Sequence, residues 1–184
     1  MCGGADVTRR GGGLRVVLVG PLPPPAGGMA NQTRQLARLL ETEGVTVDIV
    51  RQNRPYTPAW VGRLYWLRAF ARLIPYLIDL WKAGARNSVF HVMANSGWSW
   101  HLFAAPAVIV ARLRRAAVVV NYRGGGAEEF FRRSYPFVKP VLRLADAVVV
   151  PSGFLGEVFG KRGVDVQVVP NIIDLHRFRR GAEE

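Results

Sequence analysis

The sequence predicts an α/β fold: a single Rossmann-like, doubly wound sheet of parallel strands. Short runs rich in valine and isoleucine, typical of strands buried on both faces of a parallel sheet, recur along the chain. Segments with apolar residues at helical spacing separate these runs, so strands and helices alternate throughout. With 184 residues and 49% apolar composition, the chain suits one domain with a substantial core.

The first part of the chain predicts a β-loop-α-β unit. Residues 14–20 form a buried strand ending in glycine, and the proline-rich residues 21–28 form a stiff loop. A helix follows over residues 29–43 and stops at Gly44, a residue typical of the position after a helix. Residues 45–50 form the second strand, which implies a right-handed parallel crossover. The apolar stripe of this helix is predicted to comprise Leu36, Ala37, Leu39 and Leu40.

The alternation continues to the end of the chain. Further strands are predicted over residues 88–93, 117–122, 147–150 and 166–169. Helices are predicted over residues 59–83, with a kink at Pro75, 98–115, interrupted by Pro106, 138–145 and 154–162. The apolar stripe of the first of these helices comprises Leu64, Leu67, Ala71, Ile74, Ile78 and Trp81.

The net charge of +12 comes mainly from arginine, since all but Lys82, Lys139 and Lys161 of the 25 basic residues are arginines. Such a surface attracts polyanions, and a biased composition on a solvated surface explains the charge equally well. Cys2 is the single cysteine, which excludes an internal disulfide and fits a reducing cytoplasm. Residues 1–13 lack the apolar region of a signal peptide and are predicted to be a disordered leader. The sequence contains no uninterrupted run of about 18 apolar residues, so we predict no membrane-spanning helix.

Each loop after a strand is a candidate site, because ligands of doubly wound sheets bind outside the carboxyl ends of the strands. Gly27 and Gly28 stand where the first such loop enters a helix. Free backbone amides at a helix start favour phosphate, and glycine lets a ligand approach the backbone. A structural turn explains the two glycines equally well, because the sequence contains neither a dinucleotide fingerprint nor a P-loop.

The loop over residues 23–28 and the segment over residues 149–178 together resemble family 4 glycosyltransferases, which are retaining enzymes with two similar domains in the GT-B architecture. The loop over residues 23–28 resembles the family's glycine-pair loop near the donor phosphates, and residues 149–178 resemble the end of its acceptor domain. The resemblance covers residues 14–178. It implies an acceptor-side domain over residues 14–170, the start of an interdomain linker over residues 171–184, and a donor domain that this sequence lacks.

The loop after the fourth predicted strand departs from that family. Many members place a His-Gly pair there, and the histidine contacts the donor sugar, whereas Arg123 and Gly124 occupy the matching positions here. Arginine stays charged and cannot serve as a general base, but it can hold a phosphate or neutralise charge on the leaving nucleotide. The resemblance therefore implies a catalytic and donor-phosphate-binding role for Arg123. A structural ion pair with Glu128 or Glu129 is the alternative.

The acceptor is predicted to contact Asn95, Ser96, Trp98 and Glu128. Amide and hydroxyl groups beside an indole suit a sugar through hydrogen bonding and stacking. The alternative is a helix start, with Ser96 as its cap and with Trp98 and Trp100 in the core.

The other polar positions predict structure rather than chemistry. Ser152 suits the N-cap of a helix, and Asn171 and Asp174 suit either simple turns or, by the resemblance, the hinge between domains. His91 lies inside a strand, as a core or edge histidine. No cluster of histidine, cysteine and carboxylate residues has metal-ligand spacing, and the sequence has no Asp-x-Asp motif, so we expect no metal and no cofactor.

Aromatic and basic residues interleave between Trp60 and Lys82, as they do in helices that lie on a membrane surface. Packing of the aromatic side chains against the sheet explains the same pattern. Exposure of these aromatic residues would favour a lipid-linked acceptor and an anionic membrane surface as partners.

These observations predict the N-terminal domain of a hexosyltransferase-like enzyme that transfers a sugar from a nucleotide-sugar donor to a hydroxyl acceptor with retention. We expect it in the cytoplasm or peripheral on the inner membrane face, in polysaccharide or glycolipid synthesis. We expect the chain to need a donor-binding domain, in cis or in trans, and to be nearly inactive alone. The alternative is a non-catalytic module that binds an acceptor or a partner protein. Nucleic acid is not an expected partner, because only net charge supports it.

Overall fold

The computed structural model describes residues 13–54, 65–84 and 88–172, without the side chains of residues 65–71. Six strands form one sheet in the order β2-β1-β3-β4-β5-β6, and every adjacent pair is parallel. This architecture confirms the predicted fold class. The strands are β1 (Arg15–Gly20), β2 (Thr46–Arg51), β3 (Ser88–Ala94), β4 (Ala117–Tyr122), β5 (Ala147–Val150) and β6 (Gln167–Val168).

Helices cover both faces of the sheet. They are α1 (Gly28–Thr42), α2 (Tyr65–Ala83), α3 (Ala105–Leu113), α4 (Ala127–Leu142) and α5 (Gly153–Gly160), with a π-helical turn (Trp100–Ala104) before α3. Right-handed crossovers place α1 on one face and the other helices on the opposite face, because the strand order reverses after β2. The core divides accordingly: Ala37 of α1 packs with Leu18 and Met93, while the larger cluster joins the other helices to Val17, Val19 and Val92.

The apolar stripes predicted for the first two helices are partly wrong. In α1, Leu39 is 47% exposed whereas Ala37 is buried, and in α2, Ile74 and Ile78 are exposed whereas Tyr76 is buried. A helix has about 3.6 residues per turn, so residues two positions apart point to nearly opposite sides. The sheet selects the faces of Ala37 and Tyr76, and the other apolar residues therefore face outward. Trp81 is also exposed, and Leu64, Leu67 and Ala71 lie outside the described side chains.

The start of one helix differs from the prediction, and prolines are better tolerated in the helices than expected. Helix α4 begins at Ala127 rather than near residue 138 and contains Pro136 and Pro140. Both prolines are exposed, so water can hydrate the carbonyl groups that lose a helical partner. Pro106 lies at the start of α3, directly after the π-helical turn, in which the Ala105 amide bonds to the Trp100 carbonyl five residues earlier. The helix therefore widens before the proline instead of ending there. Pro75 lies inside α2, and its kink remains a prediction.

The closing segment largely follows its prediction. Helix α5 begins after Ser152, whose Oγ accepts a hydrogen bond from the Leu155 amide at 3.4 Å and so confirms the predicted cap. Strand β6 is shorter than predicted and is exposed rather than buried, because it forms the edge of the sheet. Of the predicted linker over residues 171–184, the structure describes only residues 171–172.

Candidate active site at the carboxyl edge of the sheet

Arg123 follows β4 directly, and three amide oxygens surround its half-buried guanidinium. Its Nε donates to Asn121 Oδ1 at 3.0 Å, and its Nη1 donates to Gln32 Oε1 at 3.3 Å and to Asn171 Oδ1. All three acceptors are neutral, and among the ion pairs of the described residues none involves Arg123. Burial lowers the pKa of Arg123, yet an arginine remains charged at neutral pH. The described structure therefore holds a positive charge here without a counter-ion.

His91 in β3 is held neutral beneath that arginine. Since arginine only donates, Asn121 must turn its oxygen towards Arg123, which leaves its amide nitrogen to face His91 Nε2 at 3.0 Å. His91 Nε2 is therefore the acceptor, and the ring proton lies on Nδ1. Burial, followed by the positive charge of Arg123, lowers the pKa of His91 to about 4. His91 is thus a support for Asn121 and Arg123.

Gln32 connects Arg123 to the segment that follows β6. Its Oε1 accepts from the Ile172 amide at 3.1 Å, and its Nε2 donates to the Ile172 carbonyl at 2.8 Å. Because the same Oε1 also accepts from Arg123, one side chain of α1 holds both the arginine and residue 172. Sequence reasoning missed Gln32, which belongs to no motif and lies far from both partners in sequence. Asn171 lies where the hinge was predicted, and Asp174 lies outside the described residues.

Gly27 and Gly28 stand at an open helix start. Gly27 is the N-cap of α1, with no side-chain cap and no acidic residue in the first turn. A Cβ built at either glycine would meet no heavy atom within 4 Å. Gln32, in the next turn of α1, touches Arg123, so the amides of the first turn and the guanidinium belong to one edge of the domain. Both are groups that bind anions.

Asn95 and Ser96 use their polar atoms within the domain. Asn95 Oδ1 accepts from the Ser96 amide at 2.8 Å, and Ser96 Oγ shares a hydrogen bond with the Tyr122 hydroxyl at 2.8 Å. Burial raises the pKa of Tyr122 to about 12, so this phenol stays protonated. Gly124 packs against both loop residues: a Cβ there would lie 2.2 Å from Ser96 Oγ and 2.8 Å from Asn95 Oδ1. The loops after β3 and β4 therefore meet at Gly124.

Trp98 and Trp100 differ in burial, although the alternative of a simple helix start predicted both in the core. Trp100 is fully buried, whereas Trp98 is 77% exposed. Trp98 forms one wall of a groove of about 810 Å³ that runs between the start of the helical segment after β3 and α4. Phe137 of α4, which is 72% exposed, lines the opposite wall. We call this feature the Trp98–Phe137 groove.

The two glutamates at the start of α4 behave differently. Glu129 lines the Trp98–Phe137 groove and pairs with Arg132 and Arg133, each at 2.6 Å, rather than with Arg123. The hydrogen bond from Arg132 is the largest of several effects that lower the pKa of Glu129. Glu128 is exposed, and its predicted contact with the acceptor remains a prediction.

The structure describes only part of the segment between Trp60 and Lys82 in which aromatic and basic residues interleave. Residues 55–64 and the side chains of residues 65–71 are outside it. Of the remainder, Tyr76 is buried and donates to the Phe103 carbonyl at 2.8 Å. Trp81 is 50% exposed, and the Arg114 guanidinium lies 4.9 Å from its ring centroid.

Within the described ranges, no group of three or more histidine, cysteine, aspartate or glutamate residues could hold a metal ion. A search of the same residues for a helix able to cross a membrane found none.

An all-parallel sheet with helices on both faces defines a Rossmann-like domain, and domains of this class bind ligands at the carboxyl edge, where Arg123 has no counter-ion among the described residues. The model of the family described as Glycosyltransferase Family 4 matches residues 26–177. The chain therefore belongs to that family, which confirms the resemblance seen in its loops and supports a transferase function. No curated protein matches the sequence.

Proposed function

We propose that the chain is the acceptor-side domain of a retaining glycosyltransferase, with Arg123 and the start of α1 binding the donor's phosphates. The observation that carries this proposal is the half-buried Arg123 guanidinium, which has only neutral partners among the described residues. A desolvated charge without a counter-ion attracts an anion strongly. The amides at Gly27 and Gly28 add further donors beside it.

In the proposed reaction, the bond between the anomeric carbon of the donor and a phosphate oxygen breaks. The acceptor oxygen bonds to that carbon on the same face, and its proton passes to the departing phosphate. Arg123 stabilises the negative charge that develops on the leaving nucleotide. It takes no proton, because a guanidinium does not act as a base at neutral pH.

We further propose that efficient turnover needs a donor-binding domain, supplied in cis or in trans. One sheet edge forms one wall of a cleft, and the resemblance assigns the donor's base and sugar to the opposite wall. Donor hydrolysis and transfer should therefore be measured on this chain with and without a folded donor domain of the family. Activity only in the combined sample supports the proposal. No activity in either sample, although the added domain binds the donor, favours a non-catalytic module.

The phosphate site has a more direct test. Calorimetric titration with inorganic pyrophosphate and a panel of nucleoside diphosphates should give saturable binding that Arg123→Gln weakens at least tenfold. Arg123→Lys should keep part of the affinity, because lysine preserves the charge but not the planar donor geometry. The matched control is Arg143→Gln, an exposed arginine at the C-cap of α4. Equal losses in Arg143→Gln and Arg123→Gln would indicate diffuse electrostatic attraction and would contradict the assigned site.

We also propose that α2 rests against an anionic membrane surface when the acceptor is lipid-linked. Ile74, Ile78 and Trp81 follow each other at helical spacing and are 47–56% exposed. Lys82 and Arg114 stand beside Trp81 and supply positive charge. Flotation with phosphatidylglycerol vesicles at low salt should recover the protein. Trp81→Ala should reduce that recovery, and Leu39→Ala on α1 should not. Absence of flotation would remove the membrane from the proposed partners.

A further inference from the structure

The Trp98–Phe137 groove exposes apolar side chains where the fold gains nothing from their exposure. Trp98 and Phe137 are the two most exposed large apolar side chains of the described residues, at 77% and 72%, and both face this groove. Isolated exposed apolar residues are ordinary, whereas two on facing walls of one concave surface are typical of a binding site. The volume of about 810 Å³ lies within the range of small-molecule pockets.

Ring contacts hold the groove in shape. Trp98 and His101 pack edge to face with centroids 6.2 Å apart, and His101 packs on Phe130 at 5.7 Å. Phe130 is buried, so this row anchors the exposed indole to the core. The groove is therefore preformed, and a ligand entering it loses little free energy to ordering of the protein.

The charge at the rim favours an anionic ligand over a cationic one. Glu129 and Arg133 line the groove, and Arg132, which is outside its lining, pairs with the same Glu129 carboxylate; both ion pairs measure 2.6 Å. Two guanidiniums and one carboxylate leave one net positive charge beside an apolar surface. A neutral hydrocarbon would leave that charge unused, whereas a cationic amphiphile would be repelled.

The groove adjoins the proposed site of sugar transfer. Ser96 lines it, and Ser96 also contacts Gly124, the residue that follows Arg123. A molecule whose apolar part fills the groove would extend its other end towards the edge where Arg123 lies.

We propose that the Trp98–Phe137 groove binds the apolar part of an anionic amphiphilic acceptor, a hydrocarbon chain joined through an anionic group to the part that bears the reacting hydroxyl. This inference rests on the proposed function where it calls the ligand an acceptor. The binding of an anionic amphiphile does not itself depend on donor binding. It assigns the substrate class through Trp98, Phe137 and the unbalanced pair Arg132–Arg133.

The test uses decyl phosphate below its micellar concentration, with intrinsic tryptophan fluorescence and calorimetry as readouts. We expect saturable binding that Trp98→Ala and Phe137→Ser each weaken at least tenfold. Arg133→Gln should weaken decyl phosphate severalfold but leave neutral decyl maltoside unchanged. Leu39→Ala, which removes an exposed apolar side chain of α1 remote in sequence from the groove, should match the unmodified chain.

Several outcomes would overturn the assignment. Equal affinity for decyltrimethylammonium would indicate unspecific detergent binding, and equal affinity for inorganic phosphate would leave no role for the groove. Dimerisation that Trp98→Ala abolishes, without decyl phosphate binding, would identify the groove as a contact between copies. Arg123→Gln separates this proposal from the proposed function: loss of pyrophosphate binding with decyl phosphate binding retained supports both assignments. The absence of pyrophosphate binding in the unmodified chain, with decyl phosphate still bound, would contradict the donor site alone.

Discussion

Two regions at the carboxyl edge of the sheet differ in the chemistry of the surface they present. Around Arg123, polar groups pair with each other through Gln32, Asn121 and Asn171. In the Trp98–Phe137 groove, two large apolar side chains are mostly exposed, at 77% and 72%, with no cover from the described residues. One region is organised by hydrogen bonds and holds a charge, and the other is organised by ring packing and offers apolar surface. Under the two proposals made above, a single edge would hold an anion and a hydrocarbon side by side.

Gly124 is the junction between these regions, so its replacement should disturb both of them at once. In Gly124→Ala the new Cβ would lie 2.7 Å from the Ser96 amide nitrogen, and the backbone must shift to accept it. We expect a loss of about 3 kcal/mol in the free energy of unfolding, measured with urea. Both pyrophosphate and decyl phosphate binding should weaken. Gly125→Ala, where the Cβ meets open space, is the control. Unchanged binding of both ligands in Gly124→Ala would mean that the two regions are independent.

His91 should make the polar region sensitive to pH. Its folded pKa of about 4 lies below the ordinary value of 6.5, so its contribution to stability is complete above pH 6.5 and is lost as pH falls towards 4. Protonation would place a donor opposite the Asn121 amide nitrogen. We expect His91→Leu to remove roughly 2 kcal/mol of the stability change over this interval. Urea unfolding at a series of pH values measures the difference. Parallel pH profiles for both proteins would contradict the lowered pKa of His91.

Gln32 tests whether Arg123 and residue 172 are held by one side chain. Gln32→Ala removes both hydrogen bonds to Ile172, and we expect a loss of about 1 kcal/mol in the free energy of unfolding. Hydrogen exchange at the Ile172 amide should accelerate, while exchange in β4 stays unchanged. Leu39→Ala, which removes an exposed side chain of the same helix, preserves these bonds and serves as control. Full protection of the Ile172 amide in Gln32→Ala would show that another group holds this segment.

Trp98 should have the smallest effect on stability, since most of its side chain already meets water. For Trp98→Ser we expect a change within about 0.5 kcal/mol in the free energy of unfolding. Trp100→Ala, in the same segment but fully buried, should lose about 4 kcal/mol and mark the contrast. A strong loss of stability in Trp98→Ser would make Trp98 a structural residue and weaken the case for a binding groove.

Sequence reasoning reached the strands more securely than the helix faces. The predicted bounds of β4 and β5 coincide with the observed ones, because a buried parallel strand is a short, continuous apolar run with clear ends. The outward positions of Leu39 and Ile74 escaped it, since a helix rich in apolar residues on several sides does not show which side meets the sheet. The predicted helix over residues 138–145 missed the first part of α4 for a similar reason. The exposure of its prolines to water, which lets the helix contain them, is not visible in the sequence.

The sequence by itself determined the class of fold and the family, since these depend on local patterns and on motifs with fixed spacing. It also singled out Arg123, Gly27, Gly28 and Trp98. Only the tertiary structure decided what surrounds them: Gln32 and Asn171 against Arg123, and Phe137 across from Trp98. Such partners lie far apart along the chain, and they meet only because parallel strands bring their carboxyl ends to one edge of the sheet.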